Sequence, residues 1–334
     1  MMKKTIMTGL PDPSADSTGA PFQPVMTSML QPRLESVTCT HPEGQHRMAW
    51  WSWGDPSAAH VVVCVHGLTR QGRDFDRLAQ ALVARAERAG RAIHVVCPDV
   101  AGRGHSEWLP QPALYQIPQY ASDMLALLAE LQRHAPLQTL DWVGASMGGL
   151  IGMVLAGQPG LPLPVPLHSM VLNDVGPSIT WTSVQRMQQY VGQCGRFDNL
   201  AEAAAALRQL SQGFGPVPED IWLELCSHMV RQLPDGGLTL HYDPAIGEPI
   251  RALTSDVAEA AEAMVWSLYE QIRAQVLLIR GADSDLLTED TARAMTERGP
   301  RARLLQWPGY GHAPTLTDPV HIDSLANFLL DPAA

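Results

Sequence analysis

Apolar, β-branched runs alternating with segments of helical spacing constrain this chain more than any other feature. "HVVVCVHG" (60–67) has no polar face, and "DFDRLAQALVARAERAG" (74–90) follows it with helical periodicity and a glycine stop. "AIHVVCPD" (92–99) then precedes "YASDMLALLAELQRH" (120–134), and "TLDWVG" (139–144) runs into "SMGGLIGMVLAG" (146–157). "HSMVLNDVG" (168–176) is a further apolar strand. "AQVLLIRG" (274–281), "TEDTARAMTERG" (288–299), "ARLLQWPG" (302–309) and "PVHIDSLANFLL" (319–330) resume the alternation. Strands apolar on both faces must be covered on both faces, which predicts an α/β fold with a mostly parallel, twisted sheet and helices on either side. Upstream, "RLESVTC" (33–39) and "RMAWWSWG" (47–54) read as an antiparallel pair.

Between 175 and 274 the alternation lapses. "SVQRMQQYVGQCGRFDNLAEAAAALRQL", "EDIWLELCSHMVRQL" and "VAEAAEAMVWSLYEQI" are helical, separated by loops with Pro and Gly. The expected organisation is an N-terminal segment 1–30 without order, a core of 31–174 and 275–334, and a helical lid 175–274. Such a lid would lie over the carboxyl ends of the strands, where open α/β sheets bind ligands. Trp181, Met187, Tyr190, Phe197, Trp222, Met229 and Trp266 supply its apolar bulk, mostly as its own core.

A formal charge of −11 argues against nucleic acid, which needs a basic footprint. The five cysteines show no C-x-x-C spacing, so buried free thiols are expected rather than a disulfide framework. The N-terminus lacks the apolar stretch of a signal peptide, and no run is long enough to span a membrane. These features suggest a cytoplasmic location. The histidines show no paired ligand spacing, so neither a metal nor another cofactor is expected.

Chemistry-bearing residues fall at strand ends. Ser146 sits in G-A-S-M-G (144–148), where a strand meets a helix. Alone that pattern is weak, since chance supplies on the order of 0.1 matches in a chain this long. His66-Gly67 ends one strand, carboxylates at Asp283 and Asp285 follow another, and His312 lies in "PGYGHAP". A serine hydroxyl needs a base, an imidazole suits that task, and a carboxylate must hold its tautomer. A strand-to-helix turn exposes the Ser146 Oγ, and the Met147 N–H is placed to donate to a developing oxyanion.

The order Ser, Asp, His, with His66-Gly67, Asp99-x-x-Gly102-x-Gly104, G-A-S-M-G and Gly311-His312, resembles the α/β-hydrolase fold superfamily, specifically its lidded serine esterases. The likeness spans about 33–330. It implies Ser146 as nucleophile, His312 as base, the Leu68 N–H as second oxyanion donor, and His66 as a shaper of that loop. For the acid, Asp285 is preferred because Leu286-Leu287 resembles the apolar pair that trails it in the family. Asp283 and Asp174 are the alternatives, and Ser284 stands where the family pattern places Asp. The implied activity is hydrolysis of a small to medium, moderately apolar carboxylic ester through an acyl-enzyme. Carbon–carbon hydrolase, thioesterase, amidase and acyltransferase chemistry remain alternatives, as does a ligand-binding receptor without turnover. Arg70 and Arg103 are read as solvated loop arginines in preference to partners of a substrate carboxylate.

Overall fold

The computed structural model describes residues 30–331, so the expectation for the segment before residue 30 lies outside the described residues. Eight strands form one sheet in the order β1-β2-β4-β3-β5-β6-β10-β11. β1 (Arg33–His41) and β2 (Gly44–Gly54) are antiparallel, and β2 also meets β4 (His94–Pro98) antiparallel. β3 (His60–Val65), β4, β5 (Thr139–Ala145), β6 (Leu167–Asn173), β10 (Gln275–Gly281) and β11 (Arg303–Trp307) run parallel.

The reason for the unbroken Val runs is visible in β3. Val61, Val63 and Val65 enter the core on one face, and Val62 and Cys64 enter it on the other. Side chains alternate across a strand, so a doubly covered strand needs apolar residues at every position. Helices α1 (Asp76–Arg88) and α10 (Pro319–Leu330) cover the second face. The first is covered by α2 (Ile117–His134), α3 (Met147–Gly157), α8 (Ser255–Gln271) and α9 (Glu289–Glu297).

After β6 the chain leaves the sheet. It forms α4 (Trp181–Tyr190), α5 (Leu200–Leu210), α6 (Glu219–Met229) and the short α7 (Gly247–Ala252). This insertion also contains β7 (Arg196–Phe197), β8 (Val230–Gln232) and β9 (Leu238–Leu240), a three-stranded antiparallel sheet that the helical reading of 175–274 omits. Its far boundary also differs. α8 belongs to the core layer and packs so closely on α3 that a Cβ on Gly157 would lie 2.1 Å from the Leu268 carbonyl oxygen. Helical periodicity does not reveal which neighbour a helix packs against, so the sequence could not separate α8 from the helices before it. Trp222 is buried inside the insertion, its indole N–H bonded to the Ala204 carbonyl. Among the described residues no helix is long and apolar enough to cross a membrane.

Candidate active site

Ser146 occupies the one-residue turn between β5 and α3, at φ 49° and ψ −116°. A non-glycine residue held there is strained, and such strain persists only where the surroundings fix it. Here they do. A Cβ on Gly144 would lie 2.5 Å from the Gly148 backbone, and one on Gly148 would lie 2.0 Å from the Val65 carbonyl oxygen. The turn is therefore closed too tightly for a side chain at either glycine. The Ser146 N–H is bonded to the Asn173 carbonyl at 3.0 Å, and the Trp142 indole holds the Gly148 carbonyl at 3.0 Å.

His312 follows β11, and its Nε2 lies 2.9 Å from the Ser146 Oγ. The carboxylate behind it is Asp174, whose Oδ2 is 2.8 Å from His312 Nδ1. Asp174 is fully buried, with φ 54°, at the end of β6. Its Oδ1 accepts the Gly281 N–H at 2.9 Å, and its Oδ2 also accepts the Ser284 hydroxyl at 2.6 Å. The carboxylate thus has three donors, which fixes its orientation and makes Nδ1 of His312 the protonated nitrogen. Nε2 is left to take a proton from Ser146.

The preference for Asp285 is corrected by this geometry. Asp285 is half exposed and pairs with Arg186 of α4, not with His312. Asp283 lines the same cavity, with its backbone bonded to Tyr310, and makes no side-chain bond to His312. Ser284, at the position that carries Asp in the family pattern, instead donates to Asp174. That departure was the available sequence signal.

The loop after β3 lies against the serine, since a Cβ on Gly67 would sit 3.6 Å from the Ser146 Cβ. His66 is fully buried and accepts the Val100 N–H on Nε2 at 2.9 Å. Its Nδ1–H therefore donates to the Gly67 carbonyl, at 2.7 Å. In a trans peptide the carbonyl and the next N–H point oppositely, so fixing the Gly67 oxygen also fixes the Leu68 N–H. Among the described residues neither the Leu68 N–H nor the Met147 N–H donates an internal hydrogen bond.

Burial lowers the pKa of His66 to about 4, and burial does the same for His94. Both folded values lie below the ordinary value of about 6.5. Between pH 6.5 and 4 the unfolded chain therefore binds protons that the folded chain does not. Their contribution to stability is complete above pH 6.5, falls as the pH drops, and changes no further below pH 4. Together the two groups are expected to lower unfolding free energy by about 2 kcal/mol per pH unit near pH 5. Urea unfolding at pH 7, 6 and 5 measures this. A stability independent of pH over that range would contradict the neutral, buried state of both rings.

Neither arginine read as solvated is so. The Arg70 side chain is largely buried on the cavity wall and is bonded to Asp74 at 2.5 and 2.8 Å. Arg103 is fully buried. The cavity above Ser146 measures about 510 Å³, and Met187, Tyr190 and Met229 of the insertion contribute to its wall. Gly213, between α5 and α6, accepts the Gly311 N–H at 2.7 Å, and a Cβ there would lie 2.8 Å from the His312 backbone. The insertion thus rests directly on the histidine loop.

The alpha/beta hydrolase family model matches residues 62–321. A 3-hydroxybutyrate-oligomer hydrolase of Cupriavidus necator is 44% identical over 294 residues, covering 87% of this chain and 95% of that protein. A lipase of Mycobacterium tuberculosis is 29% identical over 182 residues, covering 54% of this chain and 61% of the lipase. The crystal structure of an alpha/beta hydrolase from Novosphingobium aromaticivorans superposes with a TM-score of 0.72 at 31% identity, covering 90% of this chain and 99% of that one. With the doubly covered sheet, the strained serine turn and the hydrogen-bonded histidine already in place, the matched family model makes this chain a member of the alpha/beta hydrolase family.

Proposed function

We propose that the protein is a serine esterase that cleaves short oligoesters of a 3-hydroxy acid, with 3-hydroxybutyrate oligomers as the substrate class. The Ser146–His312–Asp174 chain of hydrogen bonds carries the reading of mechanism. The Cupriavidus relative, a 3-hydroxybutyrate-oligomer hydrolase similar over nearly its whole length, supports the substrate class.

In the first half-reaction the Ser146 Oγ adds to the ester carbonyl while its proton passes to His312 Nε2. The carbonyl oxygen becomes an oxyanion between the Leu68 and Met147 N–H groups. Removing one such donor typically costs about 2.7–4 kcal/mol of barrier. Collapse breaks the ester C–O bond, and the proton on Nε2 goes to the departing alcohol oxygen. Water then repeats the sequence on the acyl-serine, giving up its proton to Nε2 and releasing the acid. Asp174 keeps Nδ1–H in place and stabilises the imidazolium in both halves.

The insertion acts as a lid in this reading, since it walls the cavity and touches the histidine loop. The cavity lies within the usual range of about 300–1,000 Å³ for small-molecule sites. Met187, Phe214 and Leu316 offer apolar surface for methyl groups, while Thr69, Gln193 and Gln212 offer partners for ester oxygens.

Release of 3-hydroxybutyrate from its linear trimer, followed beside p-nitrophenyl butyrate and matched thioester and amide substrates, tests the reading. Turnover of the trimer and the aryl ester, far above that of the amide, is expected. Aryl-ester turnover with an untouched trimer would remove the substrate assignment alone. No ester hydrolysis at all would remove the mechanism.

A further inference from the structure

Arg103 is a cation in the wrong place for an ordinary structural residue. It is fully exposed to protein and not at all to water, and among the described residues no carboxylate forms an ion pair with it. Asp99, the buried acid that directly follows β4, spends its oxygens on the N–H groups of Gly72 and His105. An unpaired buried charge is expensive, and an apolar side chain of similar volume would avoid that cost. What the guanidinium touches is therefore informative. Nε donates to the Leu68 carbonyl at 2.9 Å, Nη1 to the Ala101 carbonyl at 2.7 Å, and Nη2 points at the Met147 sulfur at 3.5 Å. The guanidinium also lies over the Tyr120 and Tyr115 rings, 4.9 and 5.8 Å from their centroids.

Two of those three contacts are to Leu68 and Met147, the residues on either side of Ser146 whose N–H groups have no internal acceptor among the described residues. The Gly67–Leu68 peptide is fixed at one end by His66, which holds the Gly67 carbonyl. Arg103 holds the next carbonyl, that of Leu68. With both carbonyls anchored, the Leu68 N–H between them has one direction left. We propose that Arg103 is a positioning residue for the oxyanion site, which it aims by anchoring the Leu68 carbonyl from behind while its unpaired charge faces the two donor residues. This inference rests on the serine-esterase reading, because it assigns Arg103 a part in stabilising that reaction's oxyanion.

Arg103→Met removes the donors and the charge at similar volume, and Arg103→Lys keeps the charge without the fork. Each is compared with the wild type for kcat and KM on p-nitrophenyl butyrate and for inhibition by an alkyl trifluoromethyl ketone. Ser146 adds to that ketone, its proton moves to His312 Nε2, and the resulting hemiketal oxyanion occupies the donor site. Arg103→Met is expected to lose about 100-fold in kcat, with KM within about threefold of wild type. Its affinity for the ketone should fall by the same factor as kcat/KM, and Arg103→Lys should recover part of both.

A residue that merely supports the fold would lower the active fraction and leave the ketone affinity of the surviving sites unchanged. That pattern, wild-type kcat in folded Arg103→Met, or failure of both variants to fold would each overturn the proposal. An inert wild type would be a different result, defeating the esterase reading and this inference with it.

Discussion

Ser146→Ala is expected to lower kcat on p-nitrophenyl butyrate by at least about 10⁴-fold while leaving the fold intact. The substitution removes one oxygen from a residue whose backbone is held by its neighbours, through the Asn173 carbonyl and the close contacts at Gly144 and Gly148. The cavity, His312 and both N–H donors stay in place. What disappears is the covalent route, because the His312 Nε2 no longer has a hydroxyl proton to take. Residual turnover comes from water attacking an ester held against the oxyanion donors, and its size measures how much of the rate those donors supply alone. Comparable kcat values in the variant and the wild type would exclude acyl-serine chemistry.

Asp174→Asn is expected to cost on the order of 10⁴-fold in kcat. The carboxylate receives three donors, from Gly281, Ser284 and His312. An amide can offer only one acceptor oxygen, so its NH₂ group must face one of those donors. Either His312 adopts the other tautomer, with Nε2 protonated and useless as a base, or a buried N–H is left unpaired at about 1–3 kcal/mol. Asp285→Asn is the matched comparison. Asp285 is exposed and pairs with Arg186, a kind of contact worth about 0–1 kcal/mol, so its kcat should stay within about threefold of wild type. Normal activity in Asp174→Asn with a collapse in Asp285→Asn would restore the acid that the sequence favoured.

The contrast between these two aspartates shows where sequence reading stops. Ser146, Met147 and the flanking glycines belong to one local turn, so their relation is carried by adjacent letters. The doubly buried strands are equally local, since β3 announces its two covered faces residue by residue. Asp174 meets His312 across 138 positions, and only the pairing of β6 beside β10 brings them together. Ser284 marked the change of acid, because a hydroxyl stands where a carboxylate was expected. Burial is equally nonlocal: Arg70 and Arg103 follow strand ends as solvated arginines do, and only the packed loop and insertion remove them from water. The same limit applies to α8, whose periodicity matches the helices of the insertion while its packing places it on α3.

The proposed mechanism makes Ser146 the single activated nucleophile of this chain. Mass analysis after treatment with an alkyl fluorophosphonate tests it most directly, because the reagent loses fluoride to an activated serine and leaves a stable phosphonyl ester. One label per chain is expected on the peptide containing Ser146, with loss of esterase activity in proportion to labelling and no label on Ser146→Ala. A label on another residue accompanying the loss of activity, or full activity in a chain labelled at Ser146, would contradict it.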